Sequence, residues 1–168
     1  MIMKKIRYSI ILLFLALVVS IVGNLTISTL ALFFDTYILH LQQGKPSLAT
    51  QGVFVAKALA LLIFVYGVFT LISNLKIFAT GDFFNSKLVT TYHKAGSLFL
   101  FSGIIGIVIS LISIFFMMNY GDIHNQIYLN IDSKGLYILL MILGLFFRLF
   151  SAVLKKGNQI QQENDLTI

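Results

Sequence analysis

The sequence predicts an all-α integral membrane protein. The expected fold is an up-down bundle of four transmembrane helices with both termini on the inner side and a short interfacial helix between spans two and three. Three observations carry this reading. Of 168 residues, 58% are hydrophobic and only 11% charged, with a mean hydropathy of +0.95, whereas about a quarter of a soluble domain's residues are charged. The apolar residues form four long runs, each matching the roughly 20 residues that cross a hydrocarbon core. Most lysines and arginines stand at the ends of those runs and on one side. The chain therefore reads as one domain over 1–168, with spans at 8–34, 53–74, 95–118 and 135–154 and a tail at 155–168.

The first span follows Lys4, Lys5 and Arg7 and is uncharged from Tyr8 to Phe34. A secretory leader also starts basic and turns apolar, and Thr29-Leu30-Ala31 offers a small-residue cleavage site, but a leader's apolar centre is only about 7–15 residues long. The longer run here favours a retained helix. Ser20, Asn24 and Ser28 recur every four residues, with Ala16 and Gly23 beside them, so they share a helical face. Such a small, polar stripe in lipid is usually a helix–helix contact. Asn24, its most polar member, is either an interhelical hydrogen-bonding group or part of an intramembrane polar site. Asp35 to Gly52, with Gly44 and Pro46, is a loop.

In the second span, Val53 to Asn74, Lys57 sits one turn inside, and its long stem lets the ammonium reach the interface. Tyr66 lies deep, so its hydroxyl requires a partner among the other helices. The connector 76–94 carries Lys76, Lys87 and Lys94 against the single acid Asp82. Gly81 ends the preceding structure, and Phe84, Leu88 and Tyr92 at intervals of four suggest the interfacial helix, capped by Asp82 or Asn85.

The third span holds Ser102, Gly106 and Ser110, a small-residue series with Gly103 and Ser113 adjacent, which is expected to meet the stripe of the first helix. The fourth span contains Arg148. It lies about two turns from the inner end, within reach of the headgroups. Three readings stand for it: contact with lipid phosphate, an interior hydrogen bond to Tyr66 or a freed carbonyl, or a transport role.

Orientation follows from the basic residues. Lys4, Lys5, Arg7, Lys76, Lys87, Lys94, Lys155 and Lys156 fall on one side, and Lys45 and Lys134 on the other. This asymmetry places both termini in the cytoplasm. The net charge of +6 is explained by these flanking residues, so direct nucleic-acid binding is not expected. Without cysteine there is neither a disulfide framework nor a thiolate metal site. Asp35, His40, Asp122, His124 and Asp132 lie in the outer loops, where solvated polar residues are the ordinary reading and a metal site the remote one. No phosphate loop, HExxH or GxSxG motif occurs, so no cofactor and no enzymatic activity are expected. All six acids lie outside the spans, which argues against an ion-driven transporter.

Two stretches carry a family resemblance. Gly81 and Phe84, followed by Tyr92 and by Ala95-Gly96 opening a span, form one. The more specific one is the ending Lys155-Lys156-Gly157, then Gln162-Glu163-Asn164-Asp165-Leu166-Thr167-Ile168. Together they resemble the DUF2975 family, bacterial four-span membrane proteins of no established activity. The resemblance covers essentially the whole chain and implies a protein of the cell's inner membrane. Members often occur beside a small helix-turn-helix regulator, which implies a membrane partner or sensor for such a regulator, acting through loop 76–94 and tail 155–168. Glu163, Asp165, Leu166 and Ile168, with Phe84 and Lys87, are the candidate partner-binding residues. The other reading of the tail folds it back onto the bundle near Lys87 and Lys94. The alternative function is a small-solute transporter or channel using Asn24, Ser102, Tyr66 and Arg148 as its polar path.

Overall fold

The computed structural model describes residues 2–33, 48–74, 77, 85–120 and 134–166. Four long helices make up nearly all of them: α1 (Ile2–Phe33), α2 (Leu48–Ser73), α3 (Ser86–Tyr120) and α4 (Lys134–Asp165). No strand occurs among the described residues. Each helix contains a stretch long and apolar enough to cross a membrane, as a lipid-exposed chain must, since only internally hydrogen-bonded backbone is tolerated there. The protein is a multi-pass membrane protein by this architecture. Large apolar side chains line the outside of every helix, Leu12, Phe69, Phe101 and Leu149 among them.

The helices outrun the predicted spans. At 1.5 Å per residue, α3 is about 52 Å long and α4 about 48 Å, against a hydrocarbon core of about 30 Å. Asn85 starts α3: its side-chain Oδ1 accepts from the Lys87 N–H at 2.8 Å, and its carbonyl accepts from the Leu88 N–H at 2.9 Å. Of the expected interfacial helix, Phe84 and the cap candidate Asp82 lie outside the described residues. Its Leu88 and Tyr92 belong to α3, where Leu88 is fully buried in the bundle.

Helix α3 is the centre. It packs against α2 on one side and along α4 on the other, while α1 touches α2 only sparsely. The α3–α4 seam runs on small residues. A Cβ added at Gly96 would meet the Gly144 carbonyl oxygen at 2.7 Å, and one added at Gly144 would meet the Gly96 carbonyl oxygen at 2.8 Å. One added at Gly103 would lie 2.8 Å from the Tyr137 carbonyl oxygen. Further along, Ser151 Oγ donates to the Val89 carbonyl at 2.8 Å. Val89, Gly96 and Gly103 thus face Ser151, Gly144 and Tyr137, each series spaced by seven, as in an antiparallel left-handed helix pair. Between α2 and α3, Ser102 Oγ donates to the Ala60 carbonyl at 2.8 Å. Phe64, Phe99 and Phe147 form a row from α2 through α3 to α4, tilted and edge-on, with centroids 5.4 and 5.5 Å apart.

These contacts correct one expectation. The small-residue face of α3 does not meet the stripe of α1. Its Ser102 faces α2, and its Gly103 and Gly106 face Tyr137 of α4. The α1 stripe is uncovered: Ala16, Ser20 and Asn24 are exposed, and a Cβ at Gly23 would have nothing within 4 Å. Small residues permit a close approach, but the approach needs them on both helices, and α4 supplies Gly144 and Ser151.

Candidate functional site

Each polar group proposed for an intramembrane site has its own surroundings. Asn24 Nδ2 donates to the Ser20 carbonyl of its own helix at 2.9 Å. Tyr66 is half-exposed on α2, and its hydroxyl accepts from Lys94 Nζ at 3.3 Å, with the ammonium also 5.4 Å from its ring centroid. Tyr66 and Lys94 lie at matching depths of the antiparallel pair, so one short bridge satisfies both. The hydroxyl's need for a partner was legible in the sequence, but Lys94 as that partner was not. Arg148 is exposed on α4, its stem against Gly96, and no hydrogen bond joins it to Tyr66. Ser102 is engaged with Ala60. Among the described residues, no hydrogen bond joins any two of these four side chains.

The candidate partner residues collect at the far end of α4. The helix runs unbroken from the span through Lys155 to Asp165, and the side chains from Gln159 to Asn164 are all exposed. Leu166 is 87% exposed, with its N–H donating to the Gln162 carbonyl at 3.3 Å. Ile160, Glu163 and Leu166, three residues apart, occupy about a third of the helix circumference. Ile160 is half-exposed although apolar. This residue was missed in the sequence because its neighbours are uniformly polar. Among the described residues the tail does not fold back: up to Asp165 it continues α4. Lys87 is exposed in the first turn of α3. Phe84, Thr167 and Ile168 lie outside the described residues, as do the loop residues Asp35, His40, Asp122, His124 and Asp132. Among the described residues, no group of His, Asp or Glu is arranged to hold a metal.

The described helices also enclose a cavity. It is a cleft of about 400 Å³ between α1 and the α2–α3–α4 body. Its walls come from α1 between Ile10 and Leu17, α2 between Val68 and Asn74, Leu88, Thr91 and Tyr92 of α3, and Phe147 of α4. They are almost wholly apolar. Thr91 Oγ1 donates to the Lys87 carbonyl at 2.8 Å, and Asn74 Nδ2 to the Thr70 carbonyl at 3.2 Å. The Tyr92 ring stacks on Phe147 at 5.7 Å and meets Phe150 edge-on at 5.0 Å. Sequence inspection did not find this cleft, since it arises from the spacing of α1 from its neighbours.

No curated protein and no solved structure matches this chain. The sequence profile of the family described as "Protein of unknown function (DUF2975)" matches residues 3–168. With four membrane-length helices and the ending already described, the chain belongs to that family.

Proposed function

We propose that the protein is a membrane-bound docking partner for a soluble cytoplasmic protein, which it engages through the end of α4. The observation that carries this reading is the helical extension from Lys155 to Asp165, whose side chains from Gln159 to Asn164 are exposed. It projects about 15 Å beyond the span at 1.5 Å per residue. A helix this polar does not hold its shape by burying a face in the bundle. The face formed by Ile160, Glu163 and Leu166 offers two apolar anchors around an acid, which suits a partner with a small apolar pocket and a basic rim. A helix-turn-helix regulator, basic by trade, is the partner class the family resemblance implies. Docking would hold it at the membrane without any catalytic step by this chain.

The test is recovery of bound proteins by the full-length chain and by a chain lacking 163–168, both extracted in mild detergent. A protein recovered only by the full-length chain is the expected result. Identical recoveries overturn the docking role of the tail. Sidedness is tested separately by a reporter fused after Ile168. Activity confined to the periplasm would place the extension where no cytoplasmic partner can reach it.

A further inference from the structure

We infer that the cleft between α1 and the α2–α3–α4 body is a lipid site, which takes one acyl chain of an anionic phospholipid from the leaflet beside the N-terminal half of α1. The inference is independent of the docking role of α4. Its first ground is the lining. Leu13, Phe14, Val68, Ile72 and Phe147 present hydrocarbon, and Thr91 Oγ1 and Asn74 Nδ2 already donate to their own helices. A polar solute would therefore lose its hydration without replacement, and an apolar one would not.

The second ground is size. At roughly 30 Å³ per methylene-sized unit, comparable to a water's share of liquid volume, 400 Å³ accommodates about a dozen methylenes. A second helix does not fit: a single turn about 10–12 Å wide and 5.4 Å tall already fills roughly 400–600 Å³. The third ground is charge. Lys87 is exposed immediately before Leu88 of the wall. Asn74 ends the α2 wall at the same level. Acyl chain inside and phosphate at this basic rim is the arrangement these groups fit.

The experiment uses the full chain in phosphatidylcholine vesicles containing phosphatidylglycerol with a diazirine in one acyl chain, with label sites mapped by peptide mass spectrometry. Label concentrated on Phe14, Val68 and Ile72 is expected. Label spread equally over the outward residues Ile138 and Leu145 means annular lipid only and overturns the site. Ile72→Trp, which fills the cleft, should cut labelling at Phe14 and Val68 several-fold, while Leu139→Trp on the outer face should not. Val68→Phe fills the same space should the tryptophan variant fail to accumulate. Unchanged labelling in a folded cleft-filling variant overturns the proposal. Competition with unlabelled lipid tests the headgroup: phosphatidylglycerol should outcompete phosphatidylcholine on the native chain but not on Lys87→Gln. A preference that survives in Lys87→Gln overturns the rim assignment.

Discussion

Replacing Gly144 by alanine tests the central seam. The new Cβ would lie 2.7 Å from the Leu100 nitrogen and 2.8 Å from the Gly96 carbonyl oxygen. Both are backbone atoms of α3, so no side-chain rotation relieves the clash. Ordinary contact begins at 3.4 Å, so the two helices must part by about half an ångström or more, a gap that forfeits a quarter to a half of each dispersion contact along the seam. The same opening stretches the bond from Ser151 Oγ to the Val89 carbonyl, now 2.8 Å. Overpacking of this kind costs about 1–3 kcal/mol, against a gain of up to about 1 kcal/mol from alanine's better helix propensity. A net loss of about 1–2 kcal/mol follows, or a tenfold change in the folded-to-unfolded ratio for each 1.4 kcal/mol. Denaturant titration in bicelles reads it directly. Gly23→Ala is the control, since its Cβ meets nothing within 4 Å, and it should be neutral or slightly stabilising. Gly67→Ala should also destabilise, because its Cβ would lie 2.6 Å from the Phe99 ring, which is buried between Phe64 and Phe147. Adding Gly96→Ala to Gly144→Ala should cost less than the sum, as the seam is already open. Equal midpoints for Gly144→Ala and Gly23→Ala would refute the close-packed seam.

Other side chains give further checks by the same titration. Ser102→Ala and Ser151→Ala each remove an interhelical bond at 2.8 Å and should cost about 0.6 kcal/mol, the usual worth of such bonds in membranes. Asn24→Ala, whose bond stays within α1, should cost nothing measurable. Tyr66→Phe removes the acceptor for Lys94 but leaves the ring 5.4 Å from its ammonium, so it should cost less than Lys94→Met, which removes both. Arg148→Leu keeps a carbon stem against Gly96 and removes the charge. Membrane levels and midpoint should stay near those of the native chain, whereas loss of the folded protein would show an interior polar role instead.

Much of the architecture is legible in the sequence because lipid imposes it. A run such as Val53 to Asn74 has few options other than a spanning helix, and α2 ends at Ser73 beside the expected boundary. The helix ends of α3 and α4 are less legible. Hydropathy marks where the chain leaves lipid, not where its hydrogen bonding stops, so α3 begins at Ser86 and α4 ends at Asp165, well outside the apolar runs at 95–118 and 135–154. Partner choice is harder still. Ser102, Gly103 and Gly106 announce a close contact without naming the helix opposite. The signal that identifies α4 is shared: positions 89, 96 and 103 repeat at seven, as do 137, 144 and 151. Read singly, Gly144 and Ser151 are unremarkable residues in an apolar run. The cleft had no local signature at all, because its walls are the same large apolar residues found on any spanning helix.

That last point bears on why α1 stands apart. In lipid no hydrophobic force draws helices together, so association rests on backbone approach, shape and interhelical hydrogen bonds. Helix α3 meets its neighbours through Gly96, Gly103 and Ser102, whereas α1 turns Ile10, Leu13, Phe14 and Leu17 toward the body. Side chains of that size hold two backbones apart. The small residues that would permit closer contact, Ser20, Gly23 and Asn24, are on an uncovered face. Rotating α1 to bring them inward would carry its large side chains into the lipid, where they are equally comfortable, so burial does not choose between the two orientations. What distinguishes the observed one is the space it encloses. Filling that space restores the dispersion contacts that α1 and the α2–α3–α4 body cannot make with each other, and the occupant then becomes part of what holds the first helix in place.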